Sequence, residues 1–338
     1  MKLSTNWVSF ENYIKLLESD LFEDKTLYHS KSWLMAVSKG FNVDIKPIKT
    51  CDAKGNVIAT IPYAFKKKGP FKLFGSPLRG LYTEFTGALF AKNINKDEKL
   101  LILKSQNEFI KKLADYIEFG FQDGKDNMVE ETFKNMGYEP STRSSTIIDL
   151  NVSEGELLKG YTGRARNMIR KSEKMDVSVS KIVPNKKWIE EYYNLLNDAF
   201  IRQGSSCPHP LSFFHELIDF NVSQNVLFLE ALKDGKFVAG SIFLLDRDRI
   251  LYFSGTSNLE GMRSAATSAI QWHAMLYGIN NKFKKYDIGG LGVPSIDKFK
   301  LSFGGVQYWQ DRWIYKSKPF SIVEPLAEWI VKKGFLRF

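Results

Sequence analysis

The 338-residue chain holds only two cysteines, Cys51 and Cys207, and four histidines. Two isolated thiols cannot make a disulfide framework, and neither has metal-type spacing. His29, His209, His215 and His273 are scattered without the companions a metal site or a catalytic triad needs, so metal-dependent or triad hydrolysis is not expected. Also missing are a Walker loop, a G-x-G-x-x-G turn after a strand, H-E-x-x-H and G-x-S-x-G, which removes the commonest phosphate-, dinucleotide-, zinc- and serine-based chemistries. No apolar run approaches the roughly 18 residues that span a bilayer. The N-terminal MKLSTNWVSFENYIKLLE lacks an apolar h-region and a cleavage site, so the expected location is the cytoplasm or the inner face of the membrane. There the thiols stay reduced and the sequons at Asn151 and Asn221 are not glycosylated.

What is present describes a globular protein: 43% hydrophobic, 25% charged and 14% aromatic residues. The length exceeds what one core usually supports and suggests two domains of about 150 residues. A net charge of +10 fits an anionic partner such as a nucleotide-linked substrate, a coenzyme pyrophosphate, tRNA or an acidic membrane, and fits equally a surface of solvated lysines.

Along the chain, residues 6–39 read as helical patches, with one helix opening at Ser30 or Ser32. IKPIKTCDAKGNVIATIPYAFKKKG reads as a hairpin turning at Asp52 to Asn56, FGSPLRGLY as a loop, TEFTGALF as a strand, and residues 97–119 as an amphipathic helix. The second half gives a basic helix over 155–175, a helix over 185–201, three strands through NVLFLEALKDGKFVAGSIFLLDRDRILYFSGTS, a helix over 262–280 and a strand at KKYDIGG. Gly55-Asn56-Val57-Ile58-Ala59 and Gly235-Lys236-Phe237-Val238-Ala239 each follow two helices and lie between hairpin strands, which points to a degenerate duplication. The expected domains are 1–150 and 151–316, with 317–338 a helix returning to the first. Its end, with Trp329, Ile330, Val331, Phe335, Lys332, Lys333 and Arg337, suits either packing or contact with an anionic membrane.

Tyr286-Asp287-Ile288-Gly289-Gly290 is followed by Phe299-Lys300-Leu301-Ser302-Phe303-Gly304-Gly305. This order resembles the Y-D-x-G-G and F-K-x-x-F-G pattern of FemABX and related GNAT-type transferases. GRARNMIRKSEK, YFSGTS, Gln271-Trp272 and IPYAF with SPLRGLY agree with it in order, so the resemblance spans roughly residues 28–316. It implies an α/β (α+β) chain of tandem GNAT-like (acyl-CoA N-acyltransferase) domains, with mixed, mostly antiparallel sheets flanked by helices. It also implies acyl or aminoacyl transfer to a primary amine of a cell-envelope precursor, without a nucleophilic side chain.

Within that scheme Lys300 is the expected catalytic cation, the family's F-K lysine lying at the reacting centre, and Phe299 and Phe303 would hold its stem. Asp287 would orient the amine or accept its proton, or else cap the turn that follows. Arg166, Arg170 and Lys174 recur every four residues on one helical face, flanked by Arg164 and Lys171. The stripe suits a diphosphate, as this region does in the resembled family, or is an ordinary solvated face. Tyr252, Ser254, Gln271 and Trp272 would border the cleft or pack in the core, and Lys39 and Arg79 would grip an anionic acceptor or stand as loop cations. No tightly bound cofactor is expected, and the donor would be an acyl-CoA, acyl carrier protein or aminoacyl-tRNA. Leu259 to Ala266 lacks the R/Q-x-x-G-x-G/A loop of CoA-binding GNAT domains, which weakens the case for CoA. No heptad-rich coiled-coil arm is inserted, which favours a shorter relative over a staphylococcal-type bridge glycyltransferase and leaves an aminoacyl-tRNA-dependent peptidoglycan bridge transferase as an alternative. A basic RNA-binding protein without catalysis is the alternative from another class.

Overall fold

A computed structural model describes residues 2–84, 86–120, 127–220 and 225–332. The chain divides into two units, the first holding residues 1–38, 42–142 and 310–338 and the second residues 39–41 and 143–309.

The first half of the chain runs β1 (Ser4–Trp7), α1 (Phe10–Glu18), α2 (Lys31–Phe41), β2 (Asp44–Cys51), β3 (Val57–Lys68), β4 (Phe71–Ser76), a two-residue β5 (Leu89–Phe90), α3 (Lys96–Lys111), β6 (Tyr116–Gly120), α4 (Asn127–Asn135) and β7 (Glu139–Asp149). Two helices, α5 (Glu154–Gly160) and α6 (Gly163–Lys174), lead into the second half. It runs β8 (Ser178–Ile182), α7 (Lys186–Arg202), α8 (Leu211–Phe220), β9 (Val226–Lys233), β10 (Lys236–Asp246), β11 (Arg249–Ser257), a short α9 (Leu259–Arg263), α10 (Ala266–Asn280), β12 (Lys285–Asp287), α11 (Pro294–Leu301) and β13 (Val306–Lys316). Helix α12 (Lys318–Lys332) follows.

Setting aside β5 and α9, the order β-α-α-β-β-β-α-β-α-β occurs twice, and the pairing repeats with it. Antiparallel β1·β2, β2·β3 and β3·β4 correspond to β8·β9, β9·β10 and β10·β11, and parallel β4·β6 corresponds to β11·β12. The first unit's sheet is completed by β13 on β6, and the second unit's by β7 on β12, both antiparallel. The domain limits therefore fall inside β7 and β13, at 142/143 and 309/310, rather than at 150 and 316. The matched pentapeptides sit where β3 and β10 begin.

Local chemistry sets the element ends. Ser9, Ser30, Ser153, Thr162 and Asn185 each accept an N–H of the following first turn, and Asn95 with Glu98 forms a capping box, contacts typically worth about 1 kcal/mol each. Asp234 and Gly235 both have positive φ, 51° and 71°, the two-residue turn whose twist suits a hairpin.

Several readings change. Thr162 starts a new helix, so 155–175 is two helices rather than one, and Ala265 in the left-handed region breaks 262–280 into α9 and α10. The helix expected to reach 119 stops at Lys111, because Tyr116-Ile117-Glu118-Phe119 is a buried strand. Phe71–Ser76, read partly as loop, is a strand, whereas among the described residues of TEFTGALF only Leu89–Phe90 is one. The basic, aromatic end of α12 lies outside the residues whose side chains are described.

Each unit has its own core. In the first, Ile48, Ile61, Phe74, Ile117, Phe119 and Trp313 pack together. In the second, Leu229, Phe243, Ile250, Ile270, Tyr286 and Phe303 do so.

Candidate active site

The site is built where two parallel strands of the second unit part. The β11·β12 ladder ends at Leu251↔Asp287, yet β11 continues to Ser257. Opposite β10, Ile242 pairs with Ser254 and Phe243 with Tyr252, so Phe253 is an extra, bulged residue. The bulge breaks alternation: the Tyr252 hydroxyl lies against Gly255, while Ser254 turns toward α7 and its hydroxyl bonds the Tyr192 hydroxyl at 2.6 Å. Ser254, expected to face substrate, is instead 5% exposed and engaged in this internal bond.

Asp287, the last residue of β12, is fully buried. Its Oδ1 accepts from Ser145 Oγ at 2.5 Å and from the Gly289 N–H at 3.0 Å, and its Oδ2 accepts from Tyr308 Oη at 2.7 Å and Arg249 Nη1 at 3.2 Å. Both oxygens thus carry two donors each, drawn from β7, β11, β13 and the turn itself. A carboxylate so engaged anchors the Gly289–Gly290 turn and is poorly placed to take a proton from an amine. The turn-capping alternative is the one the geometry supports.

Gly289 has φ +80°, and a Cβ there would lie 2.9 Å from the Tyr252 carbonyl oxygen and 3.3 Å from Lys300 Nζ. Gly289→Ala is expected to cost about 1–3 kcal/mol in urea unfolding and to lower activity further by displacing the lysine. Wild-type stability in that variant would mean that the turn is not under this constraint.

Past the turn, Asp297 accepts the Gly292 N–H on both oxygens at 3.0 Å and Pro294 occupies the first turn, which fixes where α11 starts. Lys300 lies in the last turn of α11, as a helical residue rather than in a glycine-rich loop. It is 9% exposed, the only lysine among the buried described residues, and its Nζ donates to the Gly290 carbonyl at 2.6 Å. The ammonium stands 6.0 Å from the centroid of the Tyr252 ring. Burial pushes the Tyr252 hydroxyl up to about 12, so it stays neutral at physiological pH. Phe299 packs edge-on against Phe303, which in turn packs edge-on against Tyr161.

A groove of about 560 Å³ opens elsewhere on this unit, lined by Lys159, Arg166, Ile169, Arg170, Glu173 and Trp272 among others. Arg170 is exposed at its wall. Arg166 Nη1 donates to the carbonyls of Leu158 and Tyr161, so this guanidinium partly serves to cap the end of α5. Lys171 is exposed and does not line the groove. Trp272 does line it, but is 6% exposed. Gln271 is fully buried and accepts from the Tyr286 hydroxyl, a core contact rather than a cleft contact.

The two remaining cations are paired. Lys39 reaches Glu216 at 3.3 Å, and Arg79, in the first unit, pairs with Glu324 of α12 and lies 4.8 Å over the Tyr116 ring. Arg79 therefore holds α12 in place instead of presenting a cation to an acceptor.

Ser145, Arg249 and Tyr308, absent from the residues expected above, come from three separate strands to a single carboxylate. No local spacing announces them. One signal was available: Glu118-Phe119-Gly120 at the end of β6 matches Asp287-Ile288-Gly289 at the end of β12. Glu118 is likewise buried, held by Arg312 Nη1 at 2.9 Å and Tyr116 Oη at 3.0 Å. The repeat extends to Phe133-Lys134, which corresponds to Phe299-Lys300. Lys134, however, is exposed and pairs with Glu130. Of the two halves, only the second buries its lysine.

Among the described residues there is no cluster of three or more His, Cys, Asp or Glu able to hold a metal ion, and no helix long and apolar enough to cross a membrane.

Residues 161–301 match the family described as acetyltransferase (GNAT) domain. No curated protein matches the chain by sequence. Among solved structures, FemX superimposes with a TM-score of 0.69 at 14% identity, over 97% of this chain and 99% of its own. L-PGS from Bacillus licheniformis gives 0.55 at 12% identity, over 89% and 91%. A tandem GNAT protein from the clavulanic acid biosynthesis pathway gives 0.54 at 10%, over 93% and 98%. At these identities the likeness is one of fold: tandem GNAT units, each a mixed sheet flanked by helices.

Proposed function

We propose that this GNAT-type acyltransferase transfers an acyl or aminoacyl group to the primary amine of a cell-envelope precursor, a nucleotide- or lipid-linked amino-sugar or peptide, with Lys300 stabilising the oxyanion. The observation that carries the reading is the buried Lys300 ammonium, fixed to Gly290 where β11 and β12 separate. Burying a lysine is costly, and an apolar residue would fill the same space at lower cost. A cation held beside a developing alkoxide stabilises charge that exists only in the transition state.

In the proposed reaction the neutral amine attacks the carbonyl carbon of the donor, forming the C–N bond and a tetrahedral oxyanion beside Lys300. Collapse breaks the bond to the carrier, an ester or thioester, and the amine proton leaves with the carrier group. Asp287 acts as a positioning residue, holding the Gly289–Gly290 turn on which Lys300 rests. No side-chain nucleophile is required. Burial pushes the Cys207 thiol up, which keeps it protonated and unreactive.

Of the three donor classes, an acyl carrier protein or an aminoacyl-tRNA fits better than acyl-CoA. The stretch before α10 is folded into α9, and a Cβ at its Gly261 would lie 2.4 Å from the Val238 carbonyl oxygen. This segment packs against the sheet where a CoA-binding domain presents backbone N–H groups to pyrophosphate. A non-catalytic RNA-binding protein leaves the buried lysine without a purpose.

The groove beside α6 is assigned to the phosphates of the acceptor. Arg170→Ala is then expected to raise KM for a phosphate-bearing acceptor about tenfold with kcat unchanged, and an unchanged KM would return the stripe to ordinary surface. The function is tested by offering purified protein labelled acyl-CoA, acyl carrier protein and aminoacyl-tRNA together with envelope precursors, and by mass spectrometry of those precursors in cells with and without the protein. A precursor gaining one acyl mass, dependent on the protein, is expected. Identical precursor profiles together with no transfer from any donor would refute it.

A further inference from the structure

We propose that the first unit docks on an anionic lipid bilayer through the outer face of α12 and the lysine-rich tip of the β3–β4 hairpin. Ile322, Val323 and Leu326 fall on one side of α12 and are 68%, 42% and 57% exposed. These are branched aliphatic side chains standing in water on a helix that is otherwise well anchored. Its inner side is fixed by Phe320, 4% exposed, which packs edge-on against Phe71 at 5.3 Å. Glu324 also turns inward, to Arg79 and to Lys316. The exposed face from Ser321 to Leu326 consequently carries no outward acid.

Phe71 is the first residue of β4, so the contact with Phe320 puts the hairpin tip beside the start of α12. That tip carries Lys66, Lys67 and Lys68 on β3 and Lys72 on β4, all exposed, and Lys318 at the helix start is exposed as well. An aliphatic helix face flanked by lysines is the composition that rests at a headgroup boundary. The apolar side chains enter the acyl region and each lysine near the surface gains from anionic lipid.

Two other occupants fit less well. RNA would satisfy the lysines but offers nothing to bury Ile322 and Leu326, which have no ring for a base to stack on. A second copy of the chain would cover the aliphatic face but would bring two sets of lysines to one interface. The proposal is independent of the transfer reaction, and its test uses no substrate, so either can fail without the other.

The test is flotation of the full chain with vesicles of phosphatidylcholine alone and of phosphatidylcholine with roughly one-third phosphatidylglycerol. Binding is expected only to the anionic vesicles and should weaken with salt. Lys66→Glu with Lys67→Glu is expected to reduce partitioning about thirtyfold or more, and Ile322→Glu with Leu326→Glu at least about tenfold. Circular dichroism melts check that both double variants fold. Leu326→Trp in the otherwise intact chain gives a second readout, a blue-shifted emission on anionic vesicles. Absence of binding to anionic vesicles, or binding that neither double variant alters, overturns the proposal. So does a dimer in sedimentation that the Ile322/Leu326 variant dissolves, which would assign the face to a second copy, or tight RNA binding with no vesicle binding.

Discussion

Lys300→Met is expected to lower kcat by about a hundredfold to a thousandfold while leaving KM for either substrate within a few-fold of its original value. The size follows from what one preorganised donor to an oxyanion usually contributes when removed from a water-poor site. The split between kcat and KM follows from timing, because the charge Lys300 meets is created only as the amine adds to the carbonyl. Methionine has a similar length and fills the space of the stem, so the α11 packing should survive. Lys300→Arg keeps the charge but changes the shape of the head, and the Gly290 carbonyl and Tyr252 ring leave it little freedom to adapt, so only partial activity is expected. If the methionine variant instead raised KM and left kcat intact, Lys300 would be a ground-state binding residue.

Asp287→Ala is expected to be the most destabilising substitution at this site, by about 3–5 kcal/mol. The carboxylate is fully buried, and its removal takes one carboxylate partner from the Arg249 guanidinium, 9% exposed, which also faces Asp246 at 3.9 Å, and takes an acceptor from the hydroxyls of Ser145 and Tyr308. Urea unfolding followed by circular dichroism measures the loss directly. Asp287→Asn retains the shape and two acceptor or donor atoms but not the charge, and should lie between the alanine variant and the native protein. A loss under about 1 kcal/mol for the alanine variant, coupled with abolished transfer, would reverse the assignment and make the carboxylate a participant in proton transfer.

Much of this fold is legible from sequence where periodicity is local. The amphipathic α7, the hairpin at Asp234-Gly235 and the three strands that follow one another as β9, β10 and β11 can all be read directly. Strands completed from a distance are harder. Glu139–Asp149 and Val306–Lys316 show mixed burial with little alternation, because each pairs with a strand remote in sequence. Residues 116–119 continue the apolar spacing of α3 closely enough to pass as helix, and only their complete burial in the sheet makes them a strand.

The candidate site divides the same way. Lys300 and Asp287 stand in a recognisable order of residues, but the roles differ on inspection. Lys300 has the fixed, buried cation that catalysis would need, whereas Asp287 is engaged by donors that topology, not spacing, supplies. Ser254 shows why a strand pattern misleads near a bulge, since one extra residue sends the next side chain to the other face. Arg79 shows the corresponding hazard for a lone cation, whose partner Glu324 lies 245 residues away.

The claim on which the rest depends is that the acyl group passes straight from carrier to amine beside Lys300. Intact-mass measurement of the enzyme after rapid mixing with donor, before any acceptor is added, tests it most directly. Direct transfer leaves an unmodified protein mass at every time point, with acylated product formed only once the amine is present. A protein heavier by one acyl group, formed and then discharged to the acceptor at the rate of turnover, would contradict it.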